Sequence, residues 1–166
     1  MNIFVTDPCP VQSAREQCDK HCVKMVLESA QMLSTAWRVF DNERAERENL
    51  YKQAHLNHPC SIWVRGSPEN YIWLYRHFSE LCQEYTHRYG KEHKSSSLLW
   101  SLFWLPFPDY RIQRANKNPE GFALAMPDEY KSEDVYASYR NYLIGEKSYF
   151  AKWVKDPSRK PTWWIS

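Results

Sequence analysis

No apolar run in the chain approaches the length of a membrane span, and the opening Met1-Asn2-Ile3-Phe4-Val5 is too short, and lacks the basic lead, to be a secretory signal. A soluble protein with no membrane partner is expected. Cysteine is the second shortage. There are five, an odd number without any Cys-x-x-Cys pair or framework spacing. That excludes a disulfide-stapled scaffold and points to reduced thiols in a cytoplasmic compartment. Charge of one sign is also lacking: a net +2 supplies no global field for a polyanion, so a nucleic-acid surface would have to be a local patch. Glycine is scarce, with 4 residues, strand-like alternation is nearly absent and no internal repeat exists.

Aromatic residues are abundant instead. They make up 16% of the chain, with 8 Trp and 11 Tyr. That many rings cannot all be buried, and those left at the surface pack loops or stack on flat ligands such as nucleobases. The length of 166 residues, with 43% apolar and 25% charged side chains, supports one core, so residues 1–166 read as a single domain.

The stretch 18–37 organises the rest. Val23, Val26, Leu27, Ala30, Leu33 and Trp37 recur at three and four, the spacing of one buried helix face. His21, Lys24, Glu28, Gln31 and Thr35 recur at the same spacing on another face, which lines up cation donors, a carboxylate and an amide. A polar stripe is ordinarily the solvated side of a helix. This one is flanked by Cys22, Met25 and Met32 rather than by further charges, so it reads as half-wet and as a candidate site.

Residues 2–5 form a short strand or extended arm, closed by Pro8 and Pro10. Ser13 and Glu16 have capping-box spacing, which predicts a first helix running unbroken to Phe40. Residues 41–48 mix both charge signs and make a solvated connection or the start of a short helix ending near His55. Pro59 biases His58 away from helical angles, so residues 55–65 read as an ordered turn carrying His55, Asn57, His58 and Cys60. Ser67-Pro68-Glu69 opens a long helix and Gly90 stops it. Its buried stripe is Ile72, Tyr75, Phe78, Leu81, Cys82, Tyr85 and Tyr89. Its opposite face carries Arg76, His77, Glu80, Glu84, His87 and Arg88, with Arg76 and Glu80 spaced as a surface pair. Residues 98–107 fit a short buried helix or a packed loop equally well. Arg111, Arg114 and Lys117 form a small basic cluster suited to phosphate. Ser132, Glu133 and Asp134 open a last helix, which Gly145 would bend or interrupt, and Trp163 and Trp164 form a tail that docks back. The fold class is all-α or nearly all-α, with three main helices and an N-terminal arm.

Asp19, His21 and Glu28, followed by an apolar helix, resemble the Asp-x-His-x(6)-Glu stretch of bacteriophage pyrimidine-dimer DNA glycosylases of the endonuclease V type. A second block, Asn57-His58-Pro59, Trp63, a helix with His77 and Glu84, then Arg88-Tyr89-Gly90 and residues 93–95, resembles their bacterial relatives, as does the Pro161-Thr162-Trp163-Trp164 ending. Residues 18–37 and 57–99 carry the likeness, about half the chain. The resemblance implies a compact helical fold that flips a nucleotide out of DNA and cuts the bond between base and sugar. It makes the chain's α-amine the nucleophile at C1′ and gives the assisting carboxylate to Glu28, with His21 beside it. Expected substrate contacts are Lys24, Gln31, Asn57, His58, Trp63, Arg65, His77, His93 and Lys94, and no metal or other cofactor is implied. A phage origin would put the protein in the host cytoplasm.

Two departures from that pattern stand out. Leu27 and Gln31 occupy the positions of the family's phosphate-gripping arginines. Asn2 is a poor context for removal of the initiator Met, so direct hydrolysis, with Glu28 activating water, becomes the expected route. Competing readings are a zinc site built from His55, His58 and Cys60 with His21 and Cys22, a Cys22 or Cys82 nucleophile, a pocket for a free nucleotide or nucleotide-derived signal, and a non-catalytic accessory protein that binds a host protein through Trp and Tyr anchors.

Overall fold

The computed structural model describes residues 1–107 and 121–165. The basic cluster at Arg111, Arg114 and Lys117 lies outside the described residues. Seven α-helices follow in order among those described: α1 (Pro10–Arg15), α2 (Asp19–Phe40), α3 (Asn42–Arg47), α4 (Pro59–Gly66), α5 (Pro68–Tyr89), α6 (Leu99–Phe103) and α7 (Val135–Lys147). The three longest are α2, α5 and α7, and no described residue is in a strand. No described helix is long and apolar enough to cross a membrane.

Local signals place several helix ends where the sequence predicts them. Ser67 Oγ accepts the Asn70 N–H at 3.1 Å with Pro68 in the first turn. Gly90 closes α5 at φ +68°, a conformation that glycine adopts without a Cβ clash. Asp134 caps α7 by accepting from the Tyr136 and Ala137 N–H groups. Gly145 does not interrupt α7, which continues through it to Lys147. It leaves the space that the Tyr130 ring occupies, and a Cβ there would collide with the Tyr130 hydroxyl.

The predicted unbroken first helix is two helices. Ser13 is no cap: it is buried inside α1, where its hydroxyl accepts the Thr6 N–H and donates to the Phe4 carbonyl. Glu16 ends α1, and Cys18 is extended at φ −64°, ψ 163° before α2 begins. Distant side chains satisfy the carbonyls freed by this break. The Arg88 guanidinium donates to Arg15 O at 2.8 Å and Gln17 O at 2.7 Å, and the Trp153 indole donates to Glu16 O at 3.1 Å.

The core lies between α2 and α5, with α1, α4 and the arm packed on them. Two predicted core residues of α2, Val23 and Leu27, are exposed, whereas Met25, Met32, Ser29 and Ser34 are buried. The apolar face of α2 is thus rotated away from the predicted stripe, because the arm and α4 cover the side that carries Glu28. On α5 the predicted polar face is largely interior: His77, Glu80, Glu84 and Arg88 are buried, and Ile72 and Tyr75 are only half-buried. Glu80 pairs with Arg15 of α1 at 2.7 Å, not with Arg76. The stretch 55–65 is a turn only as far as His58, the extended N-cap of α4 (Pro59–Gly66), and residues 98–107 contribute the short α6. The connection after α2 is helical only to Arg47.

Two buried histidines make stability depend on pH. His77 stacks on Trp73 at 5.2 Å and His21 on Phe4 at 4.5 Å. Burial pushes both down to about 4, aided at His21 by Lys24, Lys147 and Lys20. Unfolding returns each ring toward 6.5, so the unfolded chain binds more protons between those values. The stabilisation is fully present above pH 6.5 and is lost as pH falls toward 4, with a slope of at most roughly 1.4 kcal/mol per pH unit per ring. Urea midpoints at pH 7 and pH 5 test this, and equal values would refute it.

Candidate active site

Glu28 sits in the middle of α2 at 9% exposure, facing the N-terminal arm. Its Oε2 accepts the Asn2 backbone N–H at 2.9 Å and lies 3.9 Å from the Met1 nitrogen. Its Oε1 lies 3.3 Å from Lys24 Nζ, one turn earlier on the same helix. One carboxylate therefore faces the first two backbone nitrogens of the chain and one mostly exposed ammonium.

The arm is held by side chains far along the chain. Asn2 Oδ1 accepts from its own neighbour Ile3 N–H at 2.8 Å and lies 3.1 Å from the Tyr139 hydroxyl of α7, while Asn2 Nδ2 donates to Ala125 O at 2.7 Å. Tyr139 is fully buried and also donates to Ala123 O at 2.6 Å. Phe4 adopts φ +58° and tucks its ring against His21 and Tyr142. Ser61 of α4 reaches Met1 Sδ at 3.5 Å. Sequence reasoning missed this clamp, since nothing local links residue 2 to residues 125 and 139.

His58 belongs to the same locale. Its Nδ1 accepts the Cys60 N–H at 3.2 Å, which leaves the proton on Nε2. Burial holds its pKa below the usual range, the positive N-terminus and His55 add to that, and Glu28 opposes them. Lys24 is exposed and Gln31 half-buried on the helix face that carries Glu28. Thr35, further along that line, is buried and exchanges hydrogen bonds with the Ala54 backbone.

The other expected residues lie elsewhere. His21, in the first turn of α2, is wedged between Phe4 and Phe150. Trp63 stacks on Phe122 at 4.9 Å beneath the surface. Arg65 donates to Leu56 O, and His77 Nδ1 bonds to Pro10 O at 3.0 Å. His93 caps the turn after α5 by accepting the Ser95 N–H, and Lys94 and Asn57 are exposed.

Glu84, Arg88, Tyr89 and Asp19 join the two sequence blocks. Arg88 Nη2 bonds to Glu84 Oε2 at 2.9 Å, Arg88 Nη1 to Asp19 Oδ1 at 3.3 Å, and the Tyr89 hydroxyl donates to Asp19 O. The family model described as pyrimidine dimer DNA glycosylase matches residues 1–97, which contain the arm, Glu28 and this junction. The chain belongs to that family. No curated protein and no solved structure matches it. The glycosylase-like chain builds its candidate site from both sides of the matched limit, because Tyr139 and the 123–125 segment lie beyond it.

Burial pushes Cys22 up to about 12 and Cys60 and Cys82 up to about 11. Protonated thiols in apolar surroundings are poor nucleophiles. No group of three or more His, Cys, Asp or Glu placed to hold a metal occurs among the described residues.

Proposed function

We propose that this family member is a DNA glycosylase that cuts the N-glycosidic bond of a modified or damaged nucleotide, with Glu28 as its catalytic carboxylate. The observation that carries the reading is the approach of Glu28 Oε2 to the Asn2 and Met1 nitrogens, at 2.9 and 3.9 Å. A carboxylate held there receives a proton from whatever attacks C1′ beside the arm. In direct hydrolysis the attacker is water: its oxygen bonds to C1′, Glu28 takes its proton, and the base departs with the bonding electron pair. In the amine route the attacker is the terminal nitrogen, which lies on the same side of Glu28.

His58, with its proton on Nε2, is a donor for the departing base or the sugar, and Lys24 and Gln31 flank the carboxylate as substrate contacts. His21 has a supporting role: its ring supports Phe4 and thereby the arm. Family membership favours DNA over a free nucleotide.

The test is mass-spectrometric detection of free base from panels of modified duplexes, single strands and free nucleotides, with borohydride in parallel and the N-terminal residue read from the intact mass. Release from DNA without a trapped adduct is the expected result. A borohydride-stable adduct would replace water by the amine. Release only from free nucleotides would overturn DNA as the substrate, and no release at all would overturn catalysis.

A further inference from the structure

Five lysines lie where the start of α2 meets the end of α7 and the chain that follows it. Lys20 and Lys24 stand one turn apart on α2, on the line that continues to Glu28. Lys147 ends α7. Lys147 and His21 line one small cleft, and the Lys20 ammonium lies over the Phe150 ring that packs edge-on against His21. Lys24, Lys147 and Lys20 all help burial to hold the His21 pKa down. The chain after α7 then wraps the start of α2: Lys152 O accepts the Asp19 N–H at 2.8 Å, and the Lys155 N–H donates to Asp19 Oδ2 at 3.1 Å.

Lys20, Lys147, Lys152 and Lys155 form no ion pair among the described residues, and Lys24 meets only Glu28. Nearby carboxylates are engaged elsewhere. Asp19 faces Arg88, Glu16 accepts from the Trp163 indole, Glu146 accepts from Tyr130, and Asp156 faces His87 and Arg159. Lys20 lies over the Phe150 ring at 4.6 Å, and Tyr149 beside it is 81% exposed. Lys147 and Lys155 likewise lie over the Tyr142 and Tyr89 rings, at 5.1 and 5.5 Å. Ammonium groups with no carboxylate partner, beside the open Tyr149 ring, suit a phosphodiester chain carrying bases.

We infer that Lys20, Lys24, Lys147, Lys152 and Lys155 form a phosphate-binding track that holds the DNA backbone and leads its target nucleotide to Glu28. The inference rests on the proposed DNA glycosylase reading and specifies how this chain holds phosphate although Leu27 and Gln31 bring no positive charge. Its halves are more than a hundred residues apart in sequence, and one of them lies beyond residues 1–97.

The experiment is a salt titration of duplex binding by full-length protein, followed by fluorescence anisotropy on an unmodified oligonucleotide. Lys147→Ala, Lys152→Ala and their combination are compared with wild type and with Lys52→Ala, an exposed lysine outside the track. Each track substitution is expected to reduce the slope of log K against log salt by about 0.9, with Lys52→Ala unchanged. Charge reversal at both positions should weaken binding by about tenfold or more at moderate salt. Wild-type slopes in the track variants, with melting temperatures preserved, would overturn the track while leaving DNA as substrate. Failure of the wild type itself to bind DNA at low salt would overturn the DNA reading and the track together.

Discussion

Glu28→Gln is expected to lower base release by about 10²- to 10⁴-fold, the range typical of a positioned general base and equivalent to roughly 3 to 5 kcal/mol of barrier. Glutamine keeps an oxygen to accept the Asn2 N–H, so the arm stays seated. What it loses is the capacity to take a proton. The Lys24 contact disappears as well, but Lys24 is 63% exposed and water screens that pair, so the melting temperature should hardly move. A full kinetic loss with an unchanged fold would assign the chemistry to the carboxylate. Turnover within a few-fold of wild type would remove Glu28 from it, and a large stability loss would show that Glu28 mainly holds the arm.

The largest structural effect is expected at Arg88. Its side chain is fully buried and donates to Arg15 O, Gln17 O, Asp19 and Glu84, so it closes the α1–α2 break and neutralises a buried acid together with Arg159. Arg88→Met keeps much of the volume but strands Glu84 with one cation and leaves two carbonyls without donors. Removing one partner of a buried pair costs about 3 to 5 kcal/mol. For a chain of this size that lowers the melting temperature by roughly 6 to 20 °C. Adding Glu84→Gln should restore part of the loss, because it removes the stranded charge. Urea unfolding of both variants checks this, and a loss under about 1 kcal/mol for Arg88→Met would contradict the assigned role.

Arg88 also marks the limit of sequence reasoning. As one of His77, Glu80, Glu84 and Arg88 it lies on a regular polar stripe, and such stripes ordinarily face water. Here they face α1, the start of α2 and the chain beyond α7, which bring Arg15, Asp19, Arg159 and carbonyl groups to meet them. The α2 stripe was more legible: Glu28 is buried on a half-wet line, as its flanking Met and Cys residues predict, although Val23 and Leu27 are exposed. The second block at Asn57 and His58 was recognised as ordered, but its helix was not.

The sequence alone determined the helical class, the ends of α5, the start of α7 and the family, because capping, proline and glycine signals and motif spacing act within a few residues of chain. Only the tertiary structure decided that α1 and α2 are separate, that Asn2 is clamped by Tyr139 and Ala125, that its N–H meets Glu28, and that Lys147 shares a cleft with His21 beside the Phe150 ring that Lys20 covers. Those contacts span from 26 to 137 residues of sequence, and packing, not local propensity, brings their partners together.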